Sequence, residues 1–129
     1  MIERIQPEGL RRPPTYTPVV RATGGSTIYI SGQVSADVDG NIVGVGDFAA
    51  QARQVFSNLQ LALASVGADF SNVVKITTFI VNYTPDLREV YGAARAEATG
   101  DSLPASTLIG VQALAMPEYL IEIEAVAVV

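Results

Sequence analysis

Val73-Val74-Lys75-Ile76-Thr77-Thr78-Phe79-Ile80-Val81 is a nine-residue run of β-branched and aromatic residues broken by one charge. It is too apolar on both faces for a strand with one side in water, so it reads as the central strand of a sheet. What flanks it on either side has a different period. Upstream, Phe48, Ala52, Val55, Leu59, Ala62, Leu63 and Val66 recur at steps of three and four, which turns one stripe of a helix toward a core. Asp47 is its expected N-cap and Gly67 its expected stop. Downstream, Thr84-Pro85-Asp86 supplies a cap, a first-turn proline and an acid at the positive end of a helix dipole. Leu87, Val90, Tyr91, Ala94 and Ala98 then form a second helical stripe that ends at Gly100.

Further out, Val19 to Thr23 and Thr27 to Ile30 are short strand-like runs around Gly24-Gly25-Ser26, the signature of a hairpin. Asp39-Gly40-Asn41 marks another turn. Ser106 to Leu114 and Tyr119 to Val128 are the closing strands, and Pro7 to Pro18, with four prolines, is an irregular arm expected to lie over the domain. The order strands, helix, strand, helix, strands predicts an α+β fold, a mixed sheet with two helices packed on one face. The other face has no helix left to cover it. It is expected to carry Val, Ile and Leu side chains, and association with further copies is the natural way to remove them from water.

Composition agrees with that expectation. The chain has 129 residues, of which 49 % are hydrophobic and only 16 % charged, against about a quarter charged in an average soluble domain. Either apolar surface is buried between subunits or the chain is a well-packed monomer rich in small residues. The length suits one domain spanning residues 1–129. Met1 to Gln6 contain an acid and no apolar run of signal length, and nowhere do about 18 apolar residues follow one another, so a cytoplasmic protein without membrane contact is expected.

Absent residue types exclude much chemistry. With no His and no Cys, there is no thiol nucleophile, no Ser-His-Asp relay and no zinc-finger or iron-sulfur ligand set, and no metal or cofactor is expected. Proton transfer falls to Asp, Glu, Tyr or the single Lys75. The net charge is −5 and the eight basic residues are scattered, so no stripe neutralises phosphates and nucleic acid is not an expected partner. Asp37-Val-Asp-Gly-Asn41 has the look of a calcium loop but lacks the later bidentate acid. Lys75, inside the central strand, has either the lowered pKa of a Schiff-base lysine or, the more ordinary outcome, a glutamate partner or a path to water.

The most informative chemistry lies in Leu120-Ile-Glu-Ile-Glu-Ala-Val126. Alternation in a strand puts Glu122 and Glu124 on one face with Leu120 and Val126. Desolvation and mutual repulsion raise carboxylate pKa values toward the range useful for proton transfer; the competing possibility is that both acids simply pair with arginines or backbone donors. Ser31-Gly32-Gln33 follows a strand end, where a hydroxyl and exposed N–H groups suit a small polar ligand or a plain turn. Without a histidine to take its proton, Ser31 is a hydrogen-bonding group and not a nucleophile.

Taken in order, Ile30-Ser-Gly-Gln-Val34, Gln51-Ala-Arg-Gln54, Val73-Val-Lys-Ile-Thr-Thr-Phe79, Leu103-Pro-Ala105 and Ile121-Glu-Ile-Glu-Ala-Val126 resemble the RidA/YjgF family, also labelled endoribonuclease L-PSP, over nearly the whole chain. The resemblance implies a chorismate-mutase-like fold, a homotrimer and ligand clefts between subunits. Its best-known members hydrolyse enamines and imines to keto acids and ammonia. Carried over by motif, Tyr16 orients the substrate, Ser31 and the Gly32 N–H hydrogen-bond it, and Glu122 handles water as general acid or base. The family's carboxylate-clamping arginine after Pro-Ala is here Ser106, and its second-helix asparagine is Tyr91, both facing the substrate in the family pattern. Loss of the bidentate clamp implies a small-molecule ligand other than 2-aminoacrylate or 2-iminobutyrate, anchored by another arginine such as Arg21 or Arg88, or else a trimeric binding or regulatory protein that no longer catalyses. Ribonuclease activity is the weakest of the implied readings, because both a cationic groove and a histidine base are missing.

Overall fold

A computed structural model describes residues 1–129. In chain order it contains strands β1 (Ile2–Ile5), β2 (Val19–Ala22) and β3 (Thr27–Gln33), helix α1 (Phe48–Ala64), a single 3-10 turn (Phe70–Asn72), strand β4 (Val73–Val81), helix α2 (Pro85–Thr99), and strands β5 (Ala105–Val111) and β6 (Ile121–Val128). The main sheet has the order β3-β6-β4-β5. β4 is central, with β6 antiparallel on one side and β5 parallel on the other. Two parallel neighbours need a crossover, and α2 provides it.

Alternation along the strands divides the sheet into two faces. Ile76, Thr78 and Ile80 of β4 and Ile121, Ile123, Ala125 and Ala127 of β6 are all buried on the helix side. There they meet Ala52, Val55, Phe56, Leu59 and Leu63 of α1, the stripe expected from the three-and-four spacing. Phe56 stacks on Tyr91 of α2, with centroids 5.9 Å apart, and so joins the two helices. Asp47 caps α1 by accepting from the Ala50 N–H at 3.0 Å. The helix ends at Ala64, and Gly67 lies in the turn that follows. Thr84 precedes Pro85 in extended conformation but makes no side-chain cap bond, and Gly100 closes α2.

The expected hairpin around Gly24-Gly25-Ser26 does not form. β2 pairs instead with β1, whose four residues are too few to show an alternation in the sequence, while β3 pairs antiparallel with β6. The glycines do make a turn, both at φ +74°, but it carries the chain out of the small ribbon and onto the main sheet. Ser26 exchanges backbone bonds with Val129, at 2.7 and 3.0 Å, which starts the pairing with β6. A Cβ at Gly25 would lie 2.6 Å from the Val129 carbonyl oxygen, so close backbone approach as well as φ demands glycine there. The competition is one of length, because eight residues of β6 offer β3 a longer ladder than four of β2.

Two other expectations need adjustment. Ser31-Gly32-Gln33 is not a turn after a strand; it lies within β3, where a bulge shifts the register between Ile30 and Gln33. The closing strands begin or end inside the expected spans, β5 stopping at Val111 and β6 starting at Ile121. The face without helices is also more mixed than expected. Val126, Ile109 and Phe79 stand there among Thr77, Thr107, Lys75, Glu122 and Glu124, and Tyr29 is 81 % exposed.

The proline-rich arm lies over the domain as anticipated. Thr17 donates its backbone N–H to the Pro104 carbonyl at 3.1 Å and its hydroxyl to the Leu103 carbonyl. That double tie holds the arm beside the start of β5.

Candidate functional site

Tying Thr17 to the turn before β5 positions Tyr16 over a cavity of about 580 Å³ between the arm, α2 and β5. Ser106 enters from β5, on the helix side of the sheet, opposite Ile76. From α2 come Arg88, Tyr91, Gly92 and Arg95, positions i, i+3, i+4 and i+7, hence one helix face. Arg11 of the arm completes the ring and donates to the Tyr16 hydroxyl at 3.4 Å. Tyr16, Ser106 and Tyr91, three of the expected site residues, therefore share one cavity.

Tyr91 forms its buried floor. The residue is 6 % exposed, and its hydroxyl shares a 2.9 Å hydrogen bond with Thr78 of β4. Burial pushes the phenol pKa up, and the Thr78 bond and the Arg95 charge pull it only partly back. The folded state thus holds this proton more tightly than the unfolded chain, whose phenol ionises near pH ~10. Stability from this group is complete below that pH and is lost as pH rises toward the folded-state value. Tyr91→Phe is expected to lose about 1 kcal/mol at neutral pH, because Thr78 is left without its partner. It is also expected to flatten the fall in stability above pH ~10; urea titrations at pH 7 to 11 measure both, and an unchanged alkaline slope in the variant rules out Tyr91 as its source.

The remaining site candidates stand elsewhere. Glu122 of β6 lies on the helix-free face with Phe79 as its cross-strand neighbour, and its side chain folds over Gly32 in the β3 bulge. A Cβ built at Gly32 would fall on the Glu122 carboxylate and would sit 2.8 Å from its Cδ. Ser31 is exposed beside them, its carbonyl accepting from the Gln33 amide at 3.0 Å. Within one protomer, Ser31, Gly32 and Glu122 are therefore grouped by edge strand β3, while Tyr16, Tyr91 and Ser106 are grouped by edge strand β5 on the opposite face.

Of the two arginines expected as substitute anchors, Arg88 lines the cavity and Arg21 does not. Arg21 is bound to Glu3 by two hydrogen bonds, at 2.5 and 3.0 Å, across the β1–β2 ribbon. That is the chain's one salt bridge. Lys75 has no glutamate partner and donates to the Thr107 hydroxyl at 2.6 Å. In the loop from Asp37 to Asn41 the Asp37 carboxylate accepts from the Asp39 and Asn41 backbone N–H groups, both at 2.9 Å, so the turn consumes it. No helix is long and apolar enough to cross a membrane.

Arg11, Arg95 and Glu89 also line the cavity and were not singled out from the sequence. The seven-residue step from Arg88 to Arg95, with Tyr91 between, was a signal available on one helix face. Arg11 had none, because its place depends on how the arm folds back.

The description "Endoribonuclease L-PSP" belongs to the family model that matches residues 10–129. A crystal structure of YyfB from Yersinia pestis, a protein of unknown function in the conserved Rid family, superposes with a TM-score of 0.93 at 38 % identity, covering 99 % of this chain and 98 % of that one. The 3-aminoacrylate deaminase RutC of Acinetobacter baylyi is 35 % identical over 128 residues, 97 % of this chain and 96 % of the relative. The human 2-iminobutanoate/2-iminopropanoate deaminase is 36 % identical over 99 residues, 70 % and 72 % of the two chains.

Proposed function

Because the chain belongs to the RidA/YjgF (endoribonuclease L-PSP) family, we propose that it is a cytoplasmic small-molecule hydrolase of the deaminase type, acting on an enamine, imine or related carbonyl metabolite other than 2-aminoacrylate or 2-iminobutyrate. The observation that carries this is the cavity at Ser106. A serine stands where the family clamp is expected, yet arginines from other elements line the same space, Arg88 among them. A guanidinium fork there supplies the charge-assisted contact that Ser106 cannot.

In this mechanism Arg88 holds the substrate carboxylate and the Tyr16 and Ser106 hydroxyls orient it. Glu122 takes a proton from water as the oxygen adds to the C=N carbon and returns it to nitrogen, giving a carbinolamine; it then passes the carbinolamine hydroxyl proton to the nitrogen as the C–N bond breaks, so that a C=O forms and ammonia leaves. Glu122 reaches that substrate only from another copy of the chain, whose β3 edge meets the β5 edge of the first. A head-to-tail contact of this kind closes into a ring, and three copies is the number we propose. The second reading, a trimeric binding or regulatory protein that has lost the reaction, is favoured by the same Ser106 if Arg88 binds without aligning the carbon for attack.

Ser106→Arg tests the assignment. Wild type is expected to release little keto acid from 2-iminobutyrate, and the variant is expected to gain about tenfold or more from a restored bidentate contact. A folded variant with no gain would show that Ser106 does not stand at the clamp position. Binding of a keto acid by wild type with no turnover of any imine would favour the second reading.

A further inference from the structure

Three of the chain's eight basic residues, Arg11, Arg88 and Arg95, line the one cavity, together with a single acid, Glu89. None of the three is in a salt bridge, since the only such pair joins Arg21 to Glu3. In a chain of net charge −5, this is a local excess of positive charge with no protein carboxylate bonded to it. Arg11 donates to the Tyr16 hydroxyl and Arg95 to the Thr99 hydroxyl, both at 3.4 Å, and with no carboxylate on any of the three the cavity presents its positive charge to an anionic occupant.

Their placement says how many anionic groups. Arg88 and Arg95 leave α2 seven residues apart, about 10 Å along the helix axis, and Arg11 comes from the arm on another side. Each guanidinium fork is filled by one carboxylate, so forks leaving the fold at three separate positions suit a ligand with more than one anionic group. The Tyr91 hydroxyl is tied to Thr78, so the neutral hydroxyl-bearing residues left on the wall are Thr15, Tyr16, Tyr83 and Ser106. A cavity of about 580 Å³ is of small-molecule size.

We infer that the ligand carries two anionic groups, one a carboxylate beside the reacting carbon and the other at its far end, the geometry of a dicarboxylate imine or enamine. The assignment deepens the hydrolase reading and rests on it for the reacting carbon, though not for the two charges. A carboxylate and a phosphate both match a guanidinium fork, so the second group can be either.

The test uses the whole protein. Binding of 2-oxoglutarate, 2-oxobutyrate and 3-phosphoglycerate is measured by calorimetry, and turnover is followed for the imines of the first two, generated in place from glutamate and 2-aminobutyrate by an amino-acid oxidase. We expect 2-oxoglutarate to bind about tenfold or more tightly than 2-oxobutyrate, Arg11→Gln and Arg95→Gln each to narrow that preference, and Arg88→Gln, at the carboxylate both ligands share, to weaken both alike. Tighter binding of 3-phosphoglycerate would support two anionic sites and assign the far one to phosphate. Equal affinity for the mono- and dicarboxylate, a preference that survives both Arg11→Gln and Arg95→Gln, or an RNA oligonucleotide that displaces 2-oxoglutarate would each overturn the inference. If 2-oxoglutarate binds with the expected preference while neither imine is hydrolysed above the buffer rate, the two-anion site stands and the hydrolase reading falls.

Discussion

Gln51→Leu should lower the unfolding free energy by about 3 kcal/mol, a large fraction of what a domain this size has to lose. Gln51 is fully buried on α1, inside the hydrophobic stripe, and all of its side-chain groups are used. The amide nitrogen donates to the Gly44 carbonyl at 3.1 Å and to the Glu118 carbonyl at 2.9 Å. The amide oxygen accepts from the Leu120 N–H at 2.9 Å. One side chain thus ties α1 to the loop that leads into it and to the segment that leads into β6. Leucine has a similar volume and fills the space, but it strands two carbonyls and one N–H away from water, at about 1–3 kcal/mol for each group left unsatisfied. Urea unfolding measures the effect as a lower midpoint at unchanged slope. A loss below about 1 kcal/mol would mean that these backbone groups find water or new partners in the variant.

Glu122→Gln is expected to reduce turnover of whichever imine or enamine the wild type hydrolyses by about 10²–10⁴-fold, with little change in stability. Glutamine keeps the shape and a hydrogen-bonding tip but cannot accept the water proton. Gly32→Ala should move activity in the same direction by a different route. The added methyl occupies the space of the Glu122 carboxylate, and because that carboxylate is the end of a flexible side chain it swings aside without unfolding the strand. Subunit mixing then tests whether the site spans two copies. Glu122→Gln is dead in the β3 half and an Arg88→Gln/Tyr16→Phe double variant in the β5 half, so equal mixing should restore about a quarter of wild-type activity in a head-to-tail ring. No recovery on mixing, or a protomer that sediments alone, would contradict a site built between copies. Full activity in Glu122→Gln would remove this residue from the mechanism.

Several features could be read directly from residue order. The apolar spacing from Phe48 to Leu63 marked α1, Pro85 and Gly100 bracketed α2, and the unbroken run from Val73 placed β4 at the centre of the sheet. The alternation after Leu120 put Glu122 and Glu124 together on one face, and the pairing of β6 with β4 makes that the face away from the helices. Strand partners were harder. The Gly24-Gly25 turn was recognised, but its local geometry is compatible with a return to β2 or an exit to β6, and only the longer ladder decides. The candidate site was legible as residue types in order, not as a place. Nothing in the spacing said that Ser106 and Glu122 point to opposite faces of one sheet, because that depends on the registers of β5 and β6 against β4.

Residue order by itself determined the two helices, the central strand, the two-faced sheet and the absence of histidine and thiol chemistry. Those properties follow from dihedral preference, burial period and composition, which near neighbours in the chain decide. Only the tertiary structure decided that β3 pairs with β6, that Arg21 is spent on Glu3, and that Arg11, Arg88 and Arg95 converge on the Ser106 cavity. Each of these is set by contacts between distant parts of the chain, such as the Thr17 bond to Leu103 across 86 residues. Which of the many long loops closes is chosen by the summed packing and hydrogen bonding of the whole fold, and no local pattern reports that sum.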